Sequence, residues 1–174
     1  MRPVGSVAIS RIVDSFGKEI PLEKAIKYGW IAPGLRIDRK TGEEVQSKNL
    51  FVDQGRQLLA YAFGFRSPVE DYVCRKFAVG TGSTAAAVSD VALEAPITLA
   101  STGGITANID SVDFLSAFVI RVSFTLALGD ANGFTITEMG LYSGNNTLLA
   151  RKIRNVPVNK TSDFSPTLTW RIRF

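Results

Sequence analysis

The chain has 174 residues, 45% hydrophobic and 21% charged, with 20 basic and 16 acidic side chains, one cysteine and no histidine. That length carries one core or one core plus an appendage, and the absence of an apolar run of about 18 residues or an apolar leader argues against a membrane span and a secretion signal. Without histidine there is no Ser/His or Cys/His nucleophile pair and no imidazole-bound zinc, and lone Cys74 makes no internal disulfide. The fold is therefore expected to rest on burial and hydrogen bonding, in a reducing compartment or indifferent to one, with no cofactor.

Charge is unevenly placed. Residues 1–50 carry 9 basic and 6 acidic side chains, residues 51–150 carry 5 and 9, and residues 151–174 carry 6 and 1. Basic ends on an acidic middle suit docking on a like or neighbouring subunit. A nucleic-acid surface would add aromatic side chains interleaved with the basic ones, and that pattern is missing.

Residues 1–48 read as an extended N-terminal arm. Short alternating pieces, Val7 to Val13 and Leu35 to Ile37, are separated by Gly17, Pro21, Pro33 and Gly34, and Arg36 to Val45 suits a small hairpin about Lys40, Thr41 and Gly42. Such a stretch buries little by itself, so its order is expected to depend on contact with something else, its own domain being the alternative.

The domain proper is expected over 49–174. Asp53 is placed as a helix cap, with Leu58, Leu59, Ala62 and Phe63 on one face of a helix ending at Gly64. Tyr72 to Val79 reads as a strand that opens at Gly80 and Gly82 into a small-residue loop, where Ser89 and Asp90 are expected to cap a short helical turn stopped by Pro96. Further strands are expected at Ile105 to Val112, Phe118 to Leu128, Phe134 to Tyr142, Leu148 to Arg154 and Thr167 to Phe174. The turns GDANG and SGNNT lie between them, and Pro157 marks an edge or break. In Phe118 to Leu128, Phe118, Ile120, Val122, Phe124, Leu126 and Leu128 form the apolar face. The class is mainly β: an antiparallel β-sandwich with one packed α-helix.

Candidate chemistry is sparse. The Gly80 loop, GTGSTAAA, lacks the lysine of a P-loop and the third glycine of a dinucleotide fold, so it reads as a structural corner whose small residues, Ser83 to Ala87, face a neighbouring subunit. Asp90, Glu94, Asp130 and Glu138 could supply acid and base for glycan cleavage, but nothing in the sequence sets two of them at the needed separation. Glu138, inside an otherwise apolar strand, is expected to accept bonds from turn amides or to pair with a basic strand neighbour. Cys74 reads as a small buried residue. Arg171 and Arg173 alternate along the last strand as a solvated or subunit-facing row. Arg11, Trp30, Arg36, Arg171 and Arg173 are the candidate subunit-interface residues, and no catalytic, cofactor or metal residue is assigned.

Several short motifs occur in a fixed order: Asn49-Leu-Phe-Val-Asp53-Gln-Gly55, Ala78-Val-Gly-Thr-Gly82, Asp90 with Leu93 and Glu94, Gly133-Phe-Thr-Ile-Thr-Glu138-Met-Gly-Leu-Tyr142, Leu148-Leu-Ala150, and Lys160. Together they resemble the attachment domain of bacteriophage tail-collar fibre proteins and similar small virion proteins, over about Asn49 to Phe174. The resemblance implies a non-enzymatic module that fixes a fibre or decoration to the virion and acts as an oligomer. Tail fibres continue into long repeats past this domain, whereas this chain stops at Phe174. The expectation is thus an adaptor, collar or baseplate component of the tail or neck, assembled in the host cytoplasm and in contact with itself, with neighbouring virion proteins and with a fibre. A capsid decoration protein is the alternative within that class. A carbohydrate-binding module, using Trp30, Tyr61 and Tyr142, is the alternative outside it.

Overall fold

The computed structural model describes residues 4–30, 50–64 and 68–173. Arg36, the Leu35 to Ile37 piece and the Arg36 to Val45 hairpin lie outside them. Two antiparallel sheets face each other. One has four strands in the order β1 (Val4–Asp14), β9 (Phe164–Arg173), β6 (Val119–Thr125) and β5 (Ser111–Ser116). The other has five, in the order β2 (Leu50–Phe51), β8 (Leu148–Asn159), β7 (Thr135–Ser143), β3 (Cys74–Gly80) and β4 (Ala107–Asn108). The chain is the expected mainly β sandwich with little helix.

The alternation in the sequence sets the core. On β9, Leu168, Trp170 and Ile172 point inward, and Val122 and Phe124 of β6 stand directly beside Trp170 and Leu168. From the other sheet come Phe77 and Val79 of β3, Ile136, Met139 and Leu141 of β7, and Leu149 of β8. Phe77 and Phe124 stack across the gap with ring centroids 4.2 Å apart, which locks the two sheets face to face. Phe118 departs from the expected apolar face: it lies in the turn between β5 and β6, and 67% of it is exposed.

The boundary expected at residue 48 does not divide arm from body for residues 4–30. β1 pairs with β9 from Val4 opposite Arg173 to Asp14 opposite Phe164, so it supplies the second neighbour of a strand that is buried along its whole inner face. Ile12 and Ile20 enter the core, as does Ala25 of the short helix α1 (Leu22–Lys27). Trp30 then stacks on Phe164 at 4.7 Å, and its carbonyl accepts the Asn159 N–H at 2.8 Å. A central β9 without this partner would leave one row of its amides unpaired, which is why the segment folds onto the body.

Two further differences have local causes. β8 runs through Pro157 because residues 154–157 bulge opposite the single Thr137, between the pairs Glu138 with Ile153 and Ile136 with Val158. A bulged residue needs no ladder donor, and proline has none. Helix α2 (Asp53–Phe63) ends at Gly64 as expected, but its cap is Val52 and no side chain caps it; Asp53 occupies the first helical position and pairs with Arg56 at 3.1 Å.

Gly55 belongs to the first turn of α2 because the helix lands directly on β8. A Cβ there would lie 2.1 Å from the Leu149 carbonyl oxygen. In an open helix Gly→Ala gains up to about 1 kcal/mol, whereas Gly55→Ala is expected to destabilise the protein by about 2 kcal/mol or more through this clash. Urea unfolding of the variant measures the sign.

Candidate functional site

The most concentrated set of charges lies on the outer face of the five-stranded sheet. Alternation puts Glu138 and Gly140 of β7 on that face, and the register sets Arg151 of β8 opposite Gly140, so Glu138 and Arg151 are diagonal neighbours. Such a face is normally wet, yet Glu138 has no exposed surface and Arg151 only 3%. The cover is the loop of residues 81–95, closed at its base by a bridge between Gly80 and Pro96. Leu93 from the loop enters a small apolar cluster with Val52, Ala78, Tyr142 and Leu148, filling the space above Gly140.

The sequence FAVGTG is shaped by the Glu138 carboxylate. A Cβ at Gly80 would sit 2.5 Å from Glu138 Oε1, and one at Gly82 would sit 2.6 Å from it. These glycines serve close approach, and both have ordinary negative backbone angles. Into that space the loop aims its amides: Oε1 accepts Gly82 N–H at 3.1 Å and Ala95 N–H at 2.7 Å, and Oε2 accepts Glu94 N–H at 3.1 Å. Thr137 Oγ1 adds a bond to the Gly82 carbonyl at 2.7 Å.

Arg151 completes the network. Its Nε donates to Glu138 Oε2 at 2.9 Å, one terminal nitrogen to Asp90 at 2.8 Å and the other to Glu94 at 3.2 Å. Asp90 also accepts Ala87 N–H at 2.9 Å, and Glu94 accepts the N–H groups of Ser83 and Thr84 and the Thr84 hydroxyl. One guanidinium and six loop amides thus supply hydrogen-bond donors to three carboxylates. Burial opposes the charge on Arg151, but the Asp90 and Glu138 carboxylates outweigh it and hold the pKa above its usual value. The Thr84 amide and hydroxyl hold Glu94 below the ordinary carboxylate range. Burial pushes the Tyr142 hydroxyl up while it accepts the Leu93 N–H at 3.2 Å.

Asp90 therefore does not cap a helical turn. No helix forms between Gly80 and Pro96, because Asp90 is drawn to Arg151 and Pro96 into the bridge with Gly80. Glu138 does both things expected of it, accepting loop amides and pairing with a basic strand neighbour. That neighbour, Arg151, was not singled out from the sequence; the signal available was a basic residue one strand away inside an apolar run. Both Glu138 oxygens are engaged and the group has no water contact surface, so a proton transfer there would have to break the network. Among the described residues no group of His, Cys, Asp and Glu is arranged to hold a metal ion, and no helix is long and apolar enough to cross a membrane.

A second buried charge closes the GDANG turn. Lys160, 1% exposed, donates to the Leu128 carbonyl at 3.0 Å, the Asn132 side-chain oxygen at 2.9 Å and the Thr161 carbonyl at 2.8 Å. Asp130 accepts from the Ser101 amide and hydroxyl, both at 2.8 Å. Burial pushes the Lys160 ammonium down to about 8, with Asp130 and Asp163 pulling the other way. Cys74 is partly buried, and burial pushes its thiol up to about 12, which leaves it a neutral packing group.

Of the candidate interface residues, Arg36 lies outside the described residues, and the others fall on β1, β9 and the segment after α1. Arg171 is half-buried and Arg173 exposed on β9, and Arg11 stands opposite Thr167 on neighbouring β1. Trp30 packs on Phe164, away from that row. Tyr61 meets Tyr72 edge-on at 5.4 Å and Tyr142 is buried in the small cluster, so Trp30, Tyr61 and Tyr142 share no groove. No family model, curated protein or solved structure matches the chain.

Two outcomes follow from these charges. Glu138→Gln leaves Arg151 buried with reduced compensation and is expected to cost about 3 kcal/mol or more in urea unfolding; Glu94→Gln, on an exposed side chain, costs a small fraction of that. Folded Lys160 releases its proton near 8 while the unfolded chain holds it to 10.5, so the unfolded state binds more protons in between. Stability is therefore expected to rise from about pH 8 to about pH 10, and Lys160→Met to abolish the rise.

Proposed function

We propose that this chain is a bacteriophage virion structural protein, an oligomeric adaptor or collar component of the tail, neck or baseplate that docks on neighbouring virion subunits and anchors a fibre. The observation that carries this reading is where the motif residues behind the resemblance lie. Gly80, Gly82, Asp90, Glu94 and Glu138 interlock around Arg151, and Leu93, Tyr142 and Leu148 pack beside them. The motif thus encodes a loop clamped onto a sheet, with every carboxylate engaged, which is the use of charge suited to a rigid mount. The clamp presents Ser83, Thr84, Ala85 and Ala87, all exposed, as a small-residue surface against which another subunit can lie closely.

The carbohydrate-binding reading draws no support from the aromatics, since Tyr142 is buried and Trp30 has one ring face covered by Phe164. The expected result is that the protein co-purifies with intact particles of the phage that encodes it and that labelled protein marks the tail, collar or baseplate in electron micrographs. Its absence from purified particles would contradict the assignment, and label over the capsid shell would move it to a decoration role.

A further inference from the structure

The four-stranded sheet stops at β5, which has a neighbour, β6, on one side only among the described residues. This edge is unusually apolar. Phe114 is 83% exposed, Phe118 in the following turn 67%, Leu115 41% and Val112 39%. Register places Val112 opposite Val122 and Phe114 opposite Ile120, so both stand on the inner face of the sheet, the face that elsewhere packs on the second sheet. Here the second sheet has dwindled to the two residues of β4, and a groove of about 740 Å³ opens beneath β5, walled by Leu59, Tyr72, Ile109, Val112, Phe114 and Ile120. The edge is bared core.

We propose that a second copy of this chain covers this surface, β5 against β5 about a two-fold axis, so that the two open grooves merge into one interface core. The proposal rests on β5 and its groove and stands whether or not the chain belongs to a virion. The edge is complementary to itself: its one ionised side chain, Asp113, is bound by Arg121 of its own chain at 3.0 Å, so a second copy brings no uncompensated charge against it, and the exposed Val112, Phe114 and Leu115 are apolar residues that bury against their own kind. A two-fold axis normal to the sheet keeps each side chain on its own face, so residues of the same face must meet. Centring on Asp113 would set two carboxylates opposite each other; centring on Phe114 sets two aromatic rings there, the favoured cross-strand pair. The register shift at Leu115 limits the regular ladder to a few residues. Burial of Phe114, Leu115 and Phe118 must then supply most of the affinity, which places the dimer in the micromolar range for so small a contact.

The test is sedimentation velocity of the full chain from about 1 to about 100 μM, with three variants. The native chain is expected to pass from monomer to dimer across that range, and Phe114→Asp to remain monomeric with an unchanged circular dichroism spectrum. Phe16→Ser removes an aromatic that is 94% exposed on the turn after β1, far along the chain from β5, and is expected to dimerise like the native chain. Phe114→Cys is expected to give a disulfide-linked dimer under mild oxidation, whereas the native chain, with Cys74 alone, gives none. A native chain monomeric at the highest concentration, Phe16→Ser losing the dimer as Phe114→Asp does, or a dimer in which Phe114→Cys does not cross-link would each overturn the proposal. If Phe114→Asp does not fold, the cross-linking result decides.

Discussion

The bond between Glu138 and Arg151 is the constraint on which this structure depends. Taking both charges out of water costs several kcal/mol each, and neither is tolerable in the sheet without the other. The guanidinium alone does not satisfy the carboxylate, so the loop must bring amides to it, and that requirement propagates outward. Gly80 and Gly82 lack side chains because the carboxylate occupies the place of their Cβ atoms. Asp90 and Glu94 are acidic because the far side of Arg151 needs acceptors. The loop in turn fixes the start of α2, since Val88 accepts the Asp53 N–H at 2.8 Å. An open sheet face has become an interior by electrostatics, with a small apolar cluster following it.

The two sides of the sandwich are finished in opposite ways. On the outer face of β7 and β8 the carboxylates of Asp90, Glu94 and Glu138 are all met and a roof is clamped on. At β5 the inner face runs past its counterpart and ends in exposed phenylalanines, which soluble sheets ordinarily blunt with charge. The fold thus spends a buried ion network on one face and leaves core side chains bare at the opposite edge, the edge at which we propose that a second copy docks.

Much of the fold was legible because alternation is a tertiary signal written locally. Leu168, Trp170 and Ile172 announced a half-buried strand, and the periodic residues before Gly64 announced a helix. What misled was local preference overridden at a distance. Ser89 and Asp90 look like helix caps until Arg151, 61 residues after Asp90 in the chain, claims the carboxylate. Asp53 looks like a cap until the loop carbonyl takes its amide. Phe118 fits the alternation but falls in a turn, and β1 reads as a loose arm because its partner strand lies at the other end of the chain. The charge network was half legible: the oddity of Glu138 in an apolar strand was visible, but its partner could be chosen only once the register set Arg151 beside it.

Hydrogen exchange read at single amides tests the central claim most directly. If the Glu138 carboxylate holds the roof, the amides of Gly82, Glu94 and Ala95, although they lie in a loop without regular structure, exchange as slowly as the strand amides of β7. All three should lose that protection together in Glu138→Gln. Exchange of these amides at the rate of the exposed turn amides of Asn145 and Ser162 in the native protein would show that the loop opens freely and that the buried pair does not organise it.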